Sequence, residues 1–98
     1  MSRPDQIARI SQLLESLFPG STIHHRDSAA FGGIEFTIAT LRGSGALLVT
    51  HDCLAANHLA QIEEWVARAQ LRFVIDARLQ FERDGSLRVL PLRLPPTA

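Results

Sequence analysis

The sequence predicts a single α+β domain over residues 1–98, in which an antiparallel sheet of four to five strands packs against two helices. Two segments carry apolar residues at helical spacing, several others alternate apolar with polar residues, and short turn sequences separate neighbouring strands. A chain of 98 residues can bury one hydrophobic core but is too short for two. The expected order is α-(β)-β-β-α-β-β, and short hairpin connections favour antiparallel neighbours.

The first helix is predicted over residues 3 to 18. Ser2 is a good N-cap, and Pro4 stands in the first turn, where a proline is tolerated. Pro19-Gly20 then ends the helix. The apolar stripe that faces the core comprises Ile7, Ile10, Leu14 and Leu17.

A short strand is possible over residues 21 to 26, where Thr22 and Ile23 favour an extended chain. The sequence RDSAAFGG at residues 26 to 33 is rich in small and turn-forming residues, which indicates a loop.

Two further strands are predicted in GIEFTIATL and ALLVT, joined by the turn RGSG. The first alternates cleanly, as a half-buried strand does, with an inward face of Ile34, Phe36 and Ile38. The second is apolar throughout, which is typical of a strand in the centre of a sheet that is covered on both faces or lies at a dimer interface.

The second helix is predicted from about residue 54 to residue 70. Its apolar stripe comprises Leu59, Ile62, Val66 and Ala69. Trp65 flanks this stripe, and we expect it to be a partly buried anchor. Thr50 or Asp52 can cap this helix, or Asn57 if the helix begins later.

The sequence LRFVIDARLQFE, residues 71 to 82, shows the most regular strand alternation in the chain. Its predicted inward face comprises Leu71, Phe73, Ile75, Ala77, Leu79 and Phe81. The sequence RDGS then closes a hairpin onto LRVLPLRL.

The alternation also constrains the hairpin, because facing residues share one side of a sheet. Phe81 should pair with Val89 and Glu82 with Arg88, through the three-residue loop Asp84-Gly85-Ser86. Pro91 cannot donate to a strand ladder, so the last strand is predicted to be an edge strand or to contain a bulge.

The segment VTHDCLAANH, residues 49 to 58, offers a metal-site hypothesis. If residues 49 to 53 are extended, His51 and Cys53 share one strand face and can supply two zinc ligands, with His24 or His25 adding to the set. In a helix, Cys53 and His58 lie about 140° apart around the axis and cannot share an ion. The residues named for the metal alternative are His24, His51, Cys53 and His58.

The same segment permits a catalytic hypothesis, with Cys53 as nucleophile, His51 or His24 as base, and Asp52 or Asp27 as the orienting group. No oxyanion-hole glycine pattern adjoins the cysteine. The preferred interpretation is that the segment starts a helix, that Cys53 is a small buried hydrophobe, and that the chain holds neither a catalytic site nor a metal or other cofactor.

The composition argues against polyanionic partners. Ten arginines balance ten acidic residues, and the two signs are interspersed, so no long-range field attracts nucleic acid or an anionic membrane. No apolar stretch approaches the roughly 20 residues that span a bilayer. One cysteine without an internal partner favours a cytoplasmic location, and an arginine-rich, lysine-free composition favours a bacterial source.

These features predict a small non-enzymatic protein-interaction module, such as an adaptor, inhibitor or chaperone-like protein, that forms a homodimer. It would act through a sheet edge and the second helix, and the residues expected to contact the protein partner are Trp65, Arg72, Arg78, Leu90, Leu92 and Arg93. The order of elements is similar to that of small bacterial effector-binding chaperones, although their third helix has no counterpart in the pattern. The alternative is a metal-binding protein or a Cys/His-dependent enzyme using residues 49 to 58.

Overall fold

The structure is a computed structural model that describes residues 2–91. Two of the residues predicted to contact a partner, Leu92 and Arg93, lie outside the described residues. The helices are α1 (Arg3–Leu17), α2 (His51–Ala56) and α3 (Leu59–Ala69), and a single 3₁₀ turn follows at Gln70–Arg72. The strands are β1 (Thr22–Ser28), β2 (Gly33–Thr40), β3 (Gly43–Thr50), β4 (Ala77–Phe81) and β5 (Leu87–Pro91).

The predicted α+β class and element order are confirmed, but the sheet is mixed. Its five strands lie in chain order, β1-β2-β3-β4-β5. Hairpins make the pairs β1–β2, β2–β3 and β4–β5 antiparallel, whereas β3 and β4 are parallel. The physical reason is the connection: two helices separate β3 from β4, and such a crossover returns the chain in the same direction. The expectation of a purely antiparallel sheet was therefore wrong at this one pair.

The helices cover one face of the sheet. Buried side chains of α1 and α3 meet the inward faces of β2, β3 and β4 in a single hydrophobic cluster, which includes Ile10, Leu14, Phe36, Val49, Ile62, Val66 and Leu79. The first helix begins as predicted, because the Ser2 hydroxyl accepts a hydrogen bond from the backbone N–H of Asp5. None of the described helices is both long and apolar enough to cross a bilayer.

The second predicted helix is divided into α2 and α3. Thr50 caps α2 as expected, and the extended backbone of Asn57 and His58 interrupts the helix before α3 begins. Asn57 is the C-cap of α2 and not the N-cap of α3, which is His58. Its side-chain amide donates hydrogen bonds to the backbone oxygens of Cys53 and Arg83, at 3.0 Å and 2.7 Å. The break thus ties α2 to the β4–β5 turn.

The strand predicted over residues 71 to 82 is shorter than expected. Residues 70–72 form the 3₁₀ turn, and Leu71, predicted to face inward, is 91% exposed. Asp76 has a φ of 64°, the left-handed conformation that ends an extended run, and β4 begins one residue later. Phe73 still packs against the core. The alternation before residue 77 thus comes from an irregular segment that packs on the core and not from a strand.

The β4–β5 hairpin has the predicted loop length but a different register. The backbone N–H of Glu82 donates to Ser86 and that of Gly85 donates to Glu82, so the loop is Arg83-Asp84-Gly85. Phe81 therefore pairs with Leu87, and Arg88 lies opposite Gln80 rather than Glu82. Gly85, with a φ of 84°, occupies the left-handed position at which three-residue hairpins favour glycine. The loop starts one residue earlier than predicted because the left-handed position falls on glycine.

Candidate functional site

A groove runs between α3 and the hairpin formed by β4 and β5. It encloses about 290 Å³ and is lined by Trp65, Arg68, Arg72, Phe81, Gly85 and Leu87. We call this surface the α3/β5 groove. Trp65 and Arg72, two of the residues predicted to contact a partner, both line it, and Trp65 is partly buried against the core, as expected of an anchor.

Trp65 stacks on the hairpin turn. A Cβ atom added to Gly85 would lie 2.5 Å from two carbons of the indole ring, so the ring occupies the space that any other residue would need. The indole therefore has two roles: it fixes the turn beneath it, and it forms one wall of the groove. The glycine of the turn is required by this contact as well as by its positive φ.

One edge of β5, which no strand within residues 2–91 pairs with and which we call the free edge, adjoins the groove. The Glu82 N–H donates to the Ser86 oxygen, which marks a hydrogen-bonding position of the ladder. Such positions alternate along an antiparallel pair, so Arg88 and Leu90 direct their backbone groups toward β4. Leu87, Val89 and Pro91 therefore direct theirs toward the free edge. Pro91 stands where its missing N–H removes no ladder hydrogen bond, which confirms the predicted edge position.

Positive charge flanks the groove. Arg68 pairs with Glu64 one helical turn away, and Arg72 is an exposed lining residue of the groove. Within residues 2–91, no carboxylate forms an ion pair with Arg72. An apolar anchor position beside a cation suits a partner segment that carries both an apolar and an acidic side chain.

Arg78 and Leu90 lie on the opposite face of the sheet from Trp65. They face each other across β4 and β5, and Arg78 is buried, with only 10% of its side chain exposed. The six predicted contact residues are thus not one surface: Trp65 and Arg72 form the groove, Arg78 and Leu90 belong to the outer sheet face, and the other two are not described.

Arg78 instead takes part in a buried ion network that the sequence did not reveal. Its Nε donates to Glu35 Oε2 at 2.9 Å, and Arg26 donates to the other carboxylate oxygen at 3.0 Å. The guanidinium of Arg78 also stacks on the ring of Phe31, 3.9 Å from its centre. Because Glu35 is on β2 and Arg78 on β4, this pair crosses the outer face of β3 and covers Ala46 and Leu48.

The segment 49–58 is a helix start, as the preferred interpretation had it. The Thr50 hydroxyl accepts from the backbone N–H of Cys53 at 3.1 Å and donates to the backbone oxygen of Phe81 at 3.0 Å. The thiol of Cys53 is fully buried in the core. Burial raises the pKa of Cys53 to about 11, with smaller contributions from the charges of Asp84 and Glu82 and an opposing hydrogen bond from Asn57.

His51 joins three elements near the surface. Arg3, at the start of α1, approaches His51 Nδ1 at 2.6 Å, and His51 Nε2 lies 3.2 Å from a carboxylate oxygen of Asp27 at the end of β1. Since a guanidinium can only donate, Nδ1 accepts and the Nε2–H donates to Asp27. Through these two hydrogen bonds, His51 links α2 to α1 and β1.

The four residues of the metal alternative are not brought together. Within residues 2–91, no three His, Cys, Asp or Glu side chains lie close enough to hold a metal ion. His51 is held by Arg3 and Asp27, and Cys53 is in the core. The polar residues Thr50 and His51 therefore form structural hydrogen bonds at the start of α2.

Comparisons with protein-family models, curated proteins and solved structures found no match to this chain.

Proposed function

We propose that this protein is a non-enzymatic protein-interaction module that binds an extended segment of a partner protein along β5, with an apolar side chain of that segment beside Trp65. The observation that carries the proposal is the coincidence of a free strand edge with the α3/β5 groove. The edge offers backbone donors and acceptors, and the groove offers an aromatic wall and a cation.

Addition of a strand to a sheet edge obtains affinity from backbone hydrogen bonds and specificity from side-chain pockets. Here the outward N–H groups belong to Leu87 and Val89, whose side chains lie on the same side of the sheet as α3. Val89 is 46% exposed and extends the apolar surface of the groove along the strand. A partner strand paired with these residues would place its own side chains against that surface.

Pro91 contributes a carbonyl but no N–H to the free edge, so within residues 2–91 the edge of β5 offers two outward N–H donors. We therefore expect a short partner segment that depends on its anchoring side chain, preferably with an acidic residue near Arg72.

The alternative Cys/His enzyme has no structural support from its nucleophile. A buried thiol with a pKa of about 11 is almost wholly protonated near neutral pH and has no exposed surface for a substrate. The proposal also retains the homodimer, bacterial source and cytoplasmic location expected from the sequence; native mass spectrometry tests the first of these directly.

The test is selection from a displayed library of random 12-residue peptides, followed by affinity measurement with the selected peptides. Val89→Pro removes one outward N–H without breaking the ladder to β4. We expect it to weaken peptide binding about tenfold or more, the effect of one lost backbone hydrogen bond together with the altered edge. Val89→Thr retains the N–H and serves as the matched control.

Amide resonances locate the bound peptide independently. On binding, the N–H groups of Leu87 and Val89 should become protected from solvent exchange, whereas those of β1, the opposite edge, should not. If Val89→Pro binds the peptides as the parent does, or if protection falls on β1, the proposed use of β5 is wrong.

A further inference from the structure

A second concave surface lies at the end of the sheet where β3 and β4 begin. It is a cleft of about 550 Å³ between the C-terminal end of α1, the β2–β3 turn and the segment leading into β4. Its apolar walls comprise Leu17, Phe18, Leu41, Phe73 and Ile75. We call it the end cleft; it shares no lining residue with the α3/β5 groove.

The end cleft is built on fixed packing. The rings of Phe18 and Phe73 lie 4.8 Å apart at 59°, a favourable tilted aromatic pair. Beneath them, Cβ atoms added to Gly43 and Gly45 would lie 2.8 Å from Ile75 and 2.6 Å from Phe73. Two glycines therefore let these side chains sit directly on the backbone of β3, and the walls do not depend on a ligand for their position.

The mouth of the cleft is apolar as well. Leu41, in the β2–β3 turn, lines the cleft and is fully exposed. Burying such side chains on a ligand is favourable, at roughly 25 cal/mol per Å² of apolar surface removed from water. The apolar body of a ligand is thus well matched to this end of the molecule.

The polar groups of the cleft indicate which kind of ligand it can recognise. Ser21 donates its hydroxyl hydrogen to the backbone oxygen of Phe18, and Thr40 donates to that of Gly43 at 2.8 Å. Both hydroxyl donors are therefore already used. Arg42 is the one charged residue among those that line the cleft, and within residues 2–91 no carboxylate forms an ion pair with it. The available recognition group is a single exposed guanidinium.

We propose that the end cleft binds a small apolar molecule carrying one anionic group, such as an aromatic or medium-chain carboxylate. The apolar body lies against Phe18 and Phe73, and the anion meets Arg42 at the mouth. The volume falls within the roughly 300–1,000 Å³ usual for small-molecule sites. A guanidinium presents paired donors that fit a carboxylate. This proposal is independent of the interaction function assigned to β5.

The probe is 2-naphthoate, compared with its neutral analogue 2-naphthalenemethanol, titrated into the full-length protein and followed by amide chemical shifts. We expect saturable binding of the anion, with shifts confined to the cleft. We expect the neutral analogue to bind about five- to tenfold more weakly, the effect of one charge-assisted hydrogen bond at a partly exposed site. Arg42→Gln should reduce naphthoate binding to the level of the neutral analogue.

Arg83→Gln removes an exposed arginine from the β4–β5 turn and is the matched control, expected to bind naphthoate as the parent does. Leu41→Ser alters the exposed mouth without touching the core and should weaken both compounds. Thermal unfolding checks that all three variants keep the parent stability.

Three results would overturn the proposal. The first is the absence of saturable binding. The second is equal affinity for the two compounds, or equal effects of Arg42→Gln and Arg83→Gln. Either result would show that the anionic group does not bind through Arg42. The third is displacement of a concentration-dependent dimer by naphthoate, which would make the end cleft a contact between two copies of this chain.

Discussion

Gly85 lies directly beneath the indole of Trp65, and the space for a side chain at Gly85 is filled by that ring. The contact joins the most prominent side chain of α3 to the turn that carries β5. The position of the free strand edge relative to the helix therefore depends on a pair of residues that are 20 positions apart in the sequence.

Gly85→Ala should destabilise the protein by about 3 kcal/mol, because the new methyl group meets Trp65 and the backbone stays in the left-handed region. Gly20 supplies a matched control: it has the same φ of 84°, but a Cβ atom there meets nothing within 4 Å. Gly20→Ala should cost only about 1 kcal/mol. Equal losses in chemical denaturation would show that the Trp65 contact carries no energy.

The two arginines that share Glu35 should differ in their effects on stability. Arg78→Met should cost about 2–3 kcal/mol, because it leaves a buried carboxylate with one exposed partner. Arg26→Met should cost less than about 1 kcal/mol, because 68% of the Arg26 side chain is exposed to water. Urea unfolding of both variants tests this order, and a larger loss for Arg26 would contradict it.

Thr50 should tolerate serine but not valine. Its hydroxyl caps α2 and also donates to β4, so Thr50→Val removes two hydrogen bonds at a buried position and should cost about 2 kcal/mol. Thr50→Ser keeps both bonds, and we expect a loss of less than about 1 kcal/mol from the missing methyl. Similar losses for the two variants would assign the role of Thr50 to shape alone.

Cys53 should make the protein less stable in alkali. Burial raises the folded-state pKa of Cys53 from the usual 9.0 to about 11, so its contribution to stability is complete below pH 9 and is lost as the pH rises through about 11. The loss is on the order of 2 kcal/mol. Unfolding free energies measured from pH 8 to pH 11 should show this decline in the parent and a smaller decline in Cys53→Ala.

Alkylation of Cys53 gives a separate check on the same burial. In the folded protein at pH 8, iodoacetamide should react far more slowly than with the chain in denaturant. Rapid alkylation of the native protein would mean that the thiol is reachable, and would return Cys53 to the list of possible nucleophiles.

The elements that the sequence predicted best are those with strong local signals. The first helix has a capping serine, a proline in its first turn and Pro19-Gly20 beyond its end, and its bounds were correct to one residue. The central place of β3 followed from its lack of a polar face, and the edge position of β5 followed from Pro91. In each case, the residues themselves exclude the competing structures.

The errors occurred where tertiary contacts decide the outcome. The break at Asn57 contains neither proline nor glycine, and it is held by hydrogen bonds to Cys53 and Arg83. The left-handed Asp76 shortened a strand whose polarity pattern was regular. Pattern alone assigns polarity to a face of an element and does not determine backbone conformation within it.

The site was predictable only in part for a related reason. Alternation placed Glu35 and Arg78 on polar strand faces, but their pairing requires β2, β3 and β4 to lie in that order. Trp65 and Arg72 were identified as individual surface residues. Gly85, beneath Trp65, belongs to a hairpin whose predicted register was wrong by two residues, because alternation alone does not distinguish registers that differ by two. The Glu35–Arg78 pairing could be found only once β4 was known to lie beside β3 and parallel to it.

The parallel pair β3–β4 also has a kinetic consequence. It joins Ala46 to Arg78, 32 residues apart (78 − 46), while each of the other three pairings is a hairpin between sequence neighbours. Closing this large loop costs more entropy than forming a hairpin, and such closures slow folding. The meander of β1 to β3 can form from local contacts, whereas β4 and β5 must be captured from a distance. Until the β4–β5 hairpin docks, the edge of β3 that later pairs with β4 is an exposed sheet edge.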